Sequence, residues 1–281
     1  MVVAPTQKLR VISWNLLHGQ VIPPLGKQDW QNNLKTAAEE VAAHFKPDFI
    51  ALQEVDYMQP RSGSINQTKL IAESMGLKNW YFLPSLLGTP GDRWQKVRHL
   101  EPEIISSNSK TKILKTSYGI GFATNQIVKK IYVKYLGRSL VGMPLLVPRE
   151  SGHGVKFIYV KDEPRVALIA QLENGLTITT THLSFVPGVN IVQLNRLSSY
   201  LKKIPGEQIL VGDLNLPGNL PTHLSGFRSL LAQSTYPSWK PSIQFDYIMK
   251  RKSESITVEG LGRIKPKISD HIPIGLELRF Q

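Results

Sequence analysis

The chain has 281 residues, 41% of them hydrophobic and 20% charged, a size and balance that let a globular chain bury about 75% of its unfolded surface in its own core. Lys and Arg number 34 against 21 Asp and Glu, a formal charge of +13, so polyanions such as nucleic acid or anionic lipid headgroups are favoured partners. Cysteine is absent, which excludes disulfides, thiolate metal sites and cysteine nucleophiles.

The N-terminal MVVAPTQKLRVISWN has no basic region followed by an apolar stretch of signal-peptide length. Nowhere do roughly 18 apolar residues run uninterrupted, so no transmembrane segment is expected and the cytoplasm is the expected location. In chain order, LRVISWN reads as a strand, WQNNLKTAAEEVAAHF as a helix, DFIALQE as a strand and QTKLIAESMG as a helix with a glycine stop. WYFLPSLLGTPGDRW reads as a strand and a loop packed on a sheet, and most of the stretch from Pro84 to Ser117, rich in proline, glycine and charge without period, as a long surface excursion. Strand-like YGIGFAT, IVKKIYVKY, VKFIYV, RVALIAQL and LTITTTHL follow. A helix at VNIVQLNRLSSYLKKI precedes the strands QILVGDLN, FDYIMK and IPIGLELRF.

Helices alternating with strands at both ends, and hairpin-like strand pairs in the middle, predict an α/β fold with mixed sheets. No internal repeat and no Gly/Ser- or Pro-rich linker divides the chain, so residues 1–281 are expected to form one domain.

Acid, amide and imidazole side chains recur where these runs end or begin. Asn15 follows VISW, Glu54 follows FIALQ, His182 follows TITTT, and Asp213 and Asn215 follow ILVG; Asp246 begins a later strand, and Asp270 with His271 precedes the last. In open α/β sheets such ends converge on one cleft. Taken singly, each residue has an ordinary structural explanation: a strand-end turn, an Asx turn, a satisfied core histidine, a surface ion pair.

A hydrolytic phosphate-ester site needs a cation, a base for water, and donors for developing charge, because the anionic ester repels a nucleophile. The cluster contains all three kinds of group. Glu54 is a hard oxygen ligand suited to Mg2+ or Mn2+, with Asp270 and Asn15 as candidate neighbours in or just outside the coordination shell.

The strings SWN at 13–15, QEV at 53–55, THLS at 181–184, GDLN at 212–215, FDYI at 245–248 and SDHIP at 269–273 together resemble the endonuclease/exonuclease/phosphatase superfamily, motif by motif and in order. The resemblance implies a four-layer α-β-β-α sandwich of two mixed β-sheets flanked by helices, deoxyribonuclease I-like, and a divalent-metal-dependent phosphoesterase. It assigns Asp213 to positioning or deprotonating water, Asn215 to a phosphate oxygen, and Asp246 to orienting His271, which is then a base or a charge-stabilising donor. His182 resembles the second histidine of the deoxyribonuclease I and sphingomyelinase branches, where it donates to phosphate or leaving group. Arg165, at the start of RVALIA, matches an arginine that contacts phosphate in some members, or is a surface arginine at a strand start.

Two departures weaken the abasic-site repair reading: Leu17 stands where those enzymes have an acidic residue, and His182 where they have tyrosine. No G-x-S-x-G, H-E-x-x-H or G-x-x-x-x-G-K-[ST] pattern is present. Nucleic acid is the expected substrate on charge, the alternative being a phospholipid or sphingolipid diester or a small phosphate ester of the same superfamily; membrane contact is not expected. A non-catalytic nucleic-acid-binding module would have lost catalytic positions, and all the main ones remain.

Overall fold

A computed structural model describes residues 7–24, 26, 28–97, 104–109, 115–148, 155–251 and 256–280. The strands and helices are β1 (Gln7–Asn15), α1 (Trp30–Phe45), β2 (Phe49–Tyr57), α2 (Gln67–Ser74), β3 (Asn79–Gly88), β4 (Trp94–Lys96), β5 (Ile105–Ser106), β6 (Ser117–Thr124), β7 (Val128–Gly137), β8 (Met143–Pro148) and β9 (Val155–Val160). They continue as β10 (Arg165–Leu172), β11 (Thr177–His182), α3 (Val189–Leu201), β12 (Gln208–Asp213), α4 (Leu220–Ser225), β13 (Phe227–Ser229), β14 (Asp246–Arg251), β15 (Ile256–Gly260) and β16 (Ile274–Phe280).

α1 forms because apolar residues recur at helical spacing, Leu34, Ala37, Ala38, Val41 and Phe45 all being buried. It starts where the Asp29 side chain accepts from the Asn32 N–H at 3.0 Å, and stops at Lys46 in the left-handed region. α2 is capped likewise by Asn66, which accepts from the Lys69 N–H.

Eight strands form one sheet in the order β15-β16-β1-β2-β6-β3-β4 with β5 beside β3, six form a second in the order β13-β14-β12-β11-β10-β7, and β8 and β9 make a separate hairpin. β1 with β2 and β11 with β12 are the parallel pairs, each joined through a helix, α1 and α3 respectively, as parallel neighbours require. Side chains alternate across each strand, so both sheets bury two faces. Between the sheets, Val11, Phe49, Ala51 and Phe122 of the first pack with Val166, Leu168, Ile178, Val211 and Ile248 of the second. On the outer face of the first sheet, Ile12, Trp14, Ile50 and Leu52 pack on α1 and α2; on that of the second, Ala167, Ile169, Leu210 and Met249 pack on Leu194, Leu197 and Leu201 of α3. The result is the expected four-layer α-β-β-α sandwich of mixed sheets.

The stretch read as a surface excursion from Pro84 to Ser117 is only partly one. Pro84 to Gly88 complete β3 against β6, β4 turns back on β3, and β5 pairs with it; residues 98–103 and 110–114 lie outside the described structure. The register of β3 against β6 shifts between Pro84 and Leu86, an irregularity of the kind beside which strands accommodate proline.

Candidate active site

The parallel pairs bring the carboxyl ends of β1, β2, β11 and β12 to one edge of the sandwich, and the antiparallel strands β10, β14 and β16 begin there. Across the second sheet His182 pairs with Asp213, and Asp213 with Asp246. Because Ile178, Val211 and Ile248 face the inter-sheet core, the residues two or four positions along on the same face point into the same seam. Glu54 reaches it by a different device: the register of β2 against β6 shifts between Leu52 and Val55, and Glu54 adopts φ 55°. Nine sequence-predicted residues, Asn15, Glu54, Arg165, His182, Asp213, Asn215, Asp246, Asp270 and His271, thus lie at one edge.

Asp213 is the centre of the cluster. Its Oδ2 accepts from Asn15 Nδ2 at 3.0 Å and lies 3.6 Å from His182 Nε2 and 3.8 Å from His271 Nε2, while its Oδ1 accepts from the Asn215 N–H at 2.9 Å. The same Asn15 Nδ2 donates to Glu54 Oε1 at 3.0 Å, and the Leu17 N–H donates to Asn15 Oδ1 at 3.0 Å, which fixes the amide orientation. Asn15 therefore clamps Glu54 to Asp213, with its amide nitrogen spent on the two carboxylates.

Each histidine has a partner that sets its state. His271 Nδ1 and Asp246 Oδ2 are 2.7 Å apart. Burial acts to lower the His271 pKa, but the charge and hydrogen bond of Asp246, with Asp213 and Asp270, hold it well above the usual value. Arg165 NH1 lies 2.8 Å from His182 Nδ1. An arginine can only donate, so Nδ1 accepts and the ring proton sits on Nε2. Burial, with the charges of Arg165 and His271, holds His182 well below the usual value, so it is neutral. Its Nε2 stands 3.2 Å from Asn215 Nδ2, two donors converging where an anionic oxygen would accept from both. Burial and the charge of Asp246 raise Asp213.

The donor set fits a hard divalent cation. Glu54 and Asp270 supply carboxylate oxygens; burial, with the charge of Glu54 adding, pushes Asp270 up to about 6, a repulsion that a cation between them would relieve. Asp213, Asp246 and His271 also bring one ligand atom each within 4.8 Å of one another. His271 Nδ1 is engaged by Asp246, however, so that trio is better described as an acid–imidazole pair beside a carboxylate than as a second cage.

Several further side chains complete the site. The Tyr236 ring packs 5.0 Å from the His271 ring. Ser269 Oγ donates to the Asn15 carbonyl at 2.7 Å and accepts from the His271 N–H at 3.0 Å, and Asn190 Nδ2 donates to the Asn215 carbonyl at 2.8 Å. Asp162 and Glu163 lie 3.8 and 4.0 Å from Arg165 NH2. Their run DEPR was a visible hint, two acids just ahead of an arginine.

Residues 12–271 match the Endonuclease/Exonuclease/phosphatase family, and the chain belongs to that family. Among curated proteins no sequence matches the chain. Among solved structures, an endonuclease/exonuclease/phosphatase family protein from Bacteroides thetaiotaomicron superposes with TM-score 0.61 at 13% identity, over 99% of this chain and 100% of that one. A mannosyl-6-phosphatase from the same organism gives TM-score 0.57 at 14% identity, covering 97% and 100%. D. rerio TDP2 complexed with single strand DNA product gives 0.50 at 17% identity, covering 96% and 98%. At these identities the likeness is one of fold. Family membership makes the chain a phosphoesterase; no helix among the described residues is long and apolar enough to cross a membrane.

Proposed function

We propose that the chain hydrolyses phosphodiesters with Mg2+, Mn2+ substituting, and that its substrate class is nucleic acid. The observation that carries this is the position of Asp213 Oδ2, bonded to the Asn15 that also holds Glu54 and within 4 Å of both imidazoles. Glu54 and Asp270 hold the cation, which supplies Lewis-acid stabilisation of charge on the phosphoryl oxygens. Asn15 keeps the Glu54 carboxylate in place. Asn215 Nδ2 and His182 Nε2–H donate to a phosphate oxygen, and Arg165 serves by fixing the tautomer of His182, its buried guanidinium facing that ring and not open space. His271, kept protonated by Asp246, donates to the phosphoryl group as negative charge develops. Asp213 is then the group left to align water and accept its proton, and the burial that raises it makes it the better base.

The +13 charge and the DNA-bound relative of the same fold support nucleic acid over lipid or small esters. Purified protein with a chromogenic phosphate diester and Mg2+ tests the reading. Metal-dependent turnover abolished by chelation is expected, and a rate indifferent to the metal would contradict it.

A further inference from the structure

Beside the catalytic edge lies a cleft of about 1000 Å3 whose lining includes Arg93, Lys96, Lys115, Arg138, Lys161 and Trp94. Among the described residues of the lining, five cations face one acid, Asp92. The Arg138 guanidinium lies 5.2 Å from the Trp94 ring centroid, which gives the cleft an aromatic surface already paired with a cation. Its far wall is continuous with the catalytic residues. Arg138 NH1 donates to the Asp162 carbonyl at 3.5 Å, Asp162 flanks Arg165, and Arg165 holds His182. On the other side, Thr89 Oγ1 donates to Gln59 Oε1 at 2.8 Å, tying the turn between β3 and β4 to the segment that follows β2.

The β8–β9 hairpin rises next to this cleft, between the end of β7 and the start of β10. Phe157 and Tyr159 alternate along β9 and share a face, and Lys161, one residue past the end of that strand, lines the cleft. Phe157 is 74% and Tyr159 63% exposed, although aromatic rings of this size are ordinarily buried. Neither ring is used by the hydrolysis, and the catalytic residues account for none of the five cations.

Resting on the phosphodiesterase reading, we infer that the cleft and this face of the hairpin form the binding track for an unpaired nucleic-acid strand leading to the catalytic edge. Cations spaced along a concave groove engage successive phosphates, and exposed rings stack on bases whatever their identity. Unpaired bases are needed for that stacking, since in a duplex the faces of the bases are already covered. Concavity favours a strand over a bilayer: a flexible strand can follow a concave groove down to the half-buried Trp94 and Arg138, whereas a planar headgroup layer meets such a groove at its rim. Leu140 and Val141, 94% and 62% exposed at the same hairpin's base, are what a membrane reading would use instead.

Binding of a fluorescent single-stranded oligonucleotide, measured in chelator so that nothing is cleaved, decides the matter. The single strand is expected to bind more tightly than a duplex of equal length. Phe157→Ala with Tyr159→Ala is expected to weaken it roughly tenfold or more. Arg138→Gln with Lys115→Gln is expected to flatten the salt dependence by about 0.7 log units per cation removed. Thermal melts of the variants show that they fold. Equal affinity for strand and duplex, affinity unaltered in the aromatic variant, or binding to anionic phospholipid vesicles but not to the oligonucleotide would each overturn the inference. Turnover of the small diester is measured on the same preparation: if it persists while strand binding fails, only the track is wrong, and if it is absent too, the phosphodiesterase reading falls with it.

Discussion

His182 and His271 face the same carboxylate oxygen yet are held in opposite protonation states, one by an arginine that can only donate and the other by an aspartate that can only accept. This asymmetry gives the pH dependence its sign. His271 is needed protonated, so activity falls as pH rises through its elevated pKa. Asp246→Asn removes the charge that chiefly holds that value up and leaves only a neutral amide oxygen as acceptor, so burial then lowers it. The alkaline limb of the pH–rate profile is expected to move to lower pH in this variant, with a reduced maximum rate; a limb that stays where it was would remove Asp246 from the mechanism. Glu163 offers a second test at this scale. Burial, opposed by Arg165, pushes it up to about 7 from an ordinary value of 4.5. The folded state thus binds a proton the unfolded chain has lost, and the associated stability is fully present below 4.5 and lost as pH rises through 7. Its upper bound is roughly 3 kcal/mol. Denaturation of Glu163→Gln across that window should show a flatter pH dependence than the unmodified chain, and an identical slope would show that Glu163 titrates normally.

At the scale of elements, the site depends on where strands end and how closely they approach. Gly212, one residue before Asp213, has φ +145°, and a Cβ there would lie 1.9 Å from the Thr181 carbonyl oxygen of the adjacent strand β11. Gly212→Ala must push β11 and β12 apart, costing on the order of 2 kcal/mol and displacing Asp213 from His182. Chemical denaturation and diester turnover should both fall, and a variant of unchanged stability would show that the strands give way freely. Most of the elements were legible in the sequence because their apolar periodicity is unbroken: the three long helices and the strands that end in Asn15, His182 and Asp213 are read directly. The strands that were not legible contain the residues that suppress a strand reading. The second half of β3 follows Pro84, β8 begins at Met143 and carries Pro144 and Pro148, and the short β13 and β15 have no room for a period. The nine candidate residues were legible because their motifs fall at strand ends. Tyr236 and Asn190 were not, because each enters the site from a loop or helix by a contact across the fold that no local pattern encodes, and Ser269, although it heads the SDHIP string, gave no sign of its bond to the Asn15 carbonyl. Arg165 was read as a phosphate contact or a surface arginine at a strand start; it is buried, not at the surface, and its contact with His182 is one that no local pattern encodes.

For the whole molecule, two properties meet at the catalytic edge: the packing of two sheets, which sets the carboxylates together, and a net charge of +13, which draws anions toward them. Four carboxylates, Glu54, Asp213, Asp246 and Asp270, would repel an anionic ester if left alone, so a strongly basic chain with an acidic centre is coherent when a cation occupies that centre. The most direct test compares turnover of a chromogenic phosphate diester by the unmodified protein and by Glu54→Ala over a Mg2+ titration. The unmodified protein should show saturable metal-dependent hydrolysis, and the variant should be slower by about a thousandfold or more while retaining its thermal unfolding transition. A Glu54→Ala protein that turns over the diester as fast as the unmodified chain, at any metal concentration, would contradict a metal-dependent phosphoesterase centred on this edge.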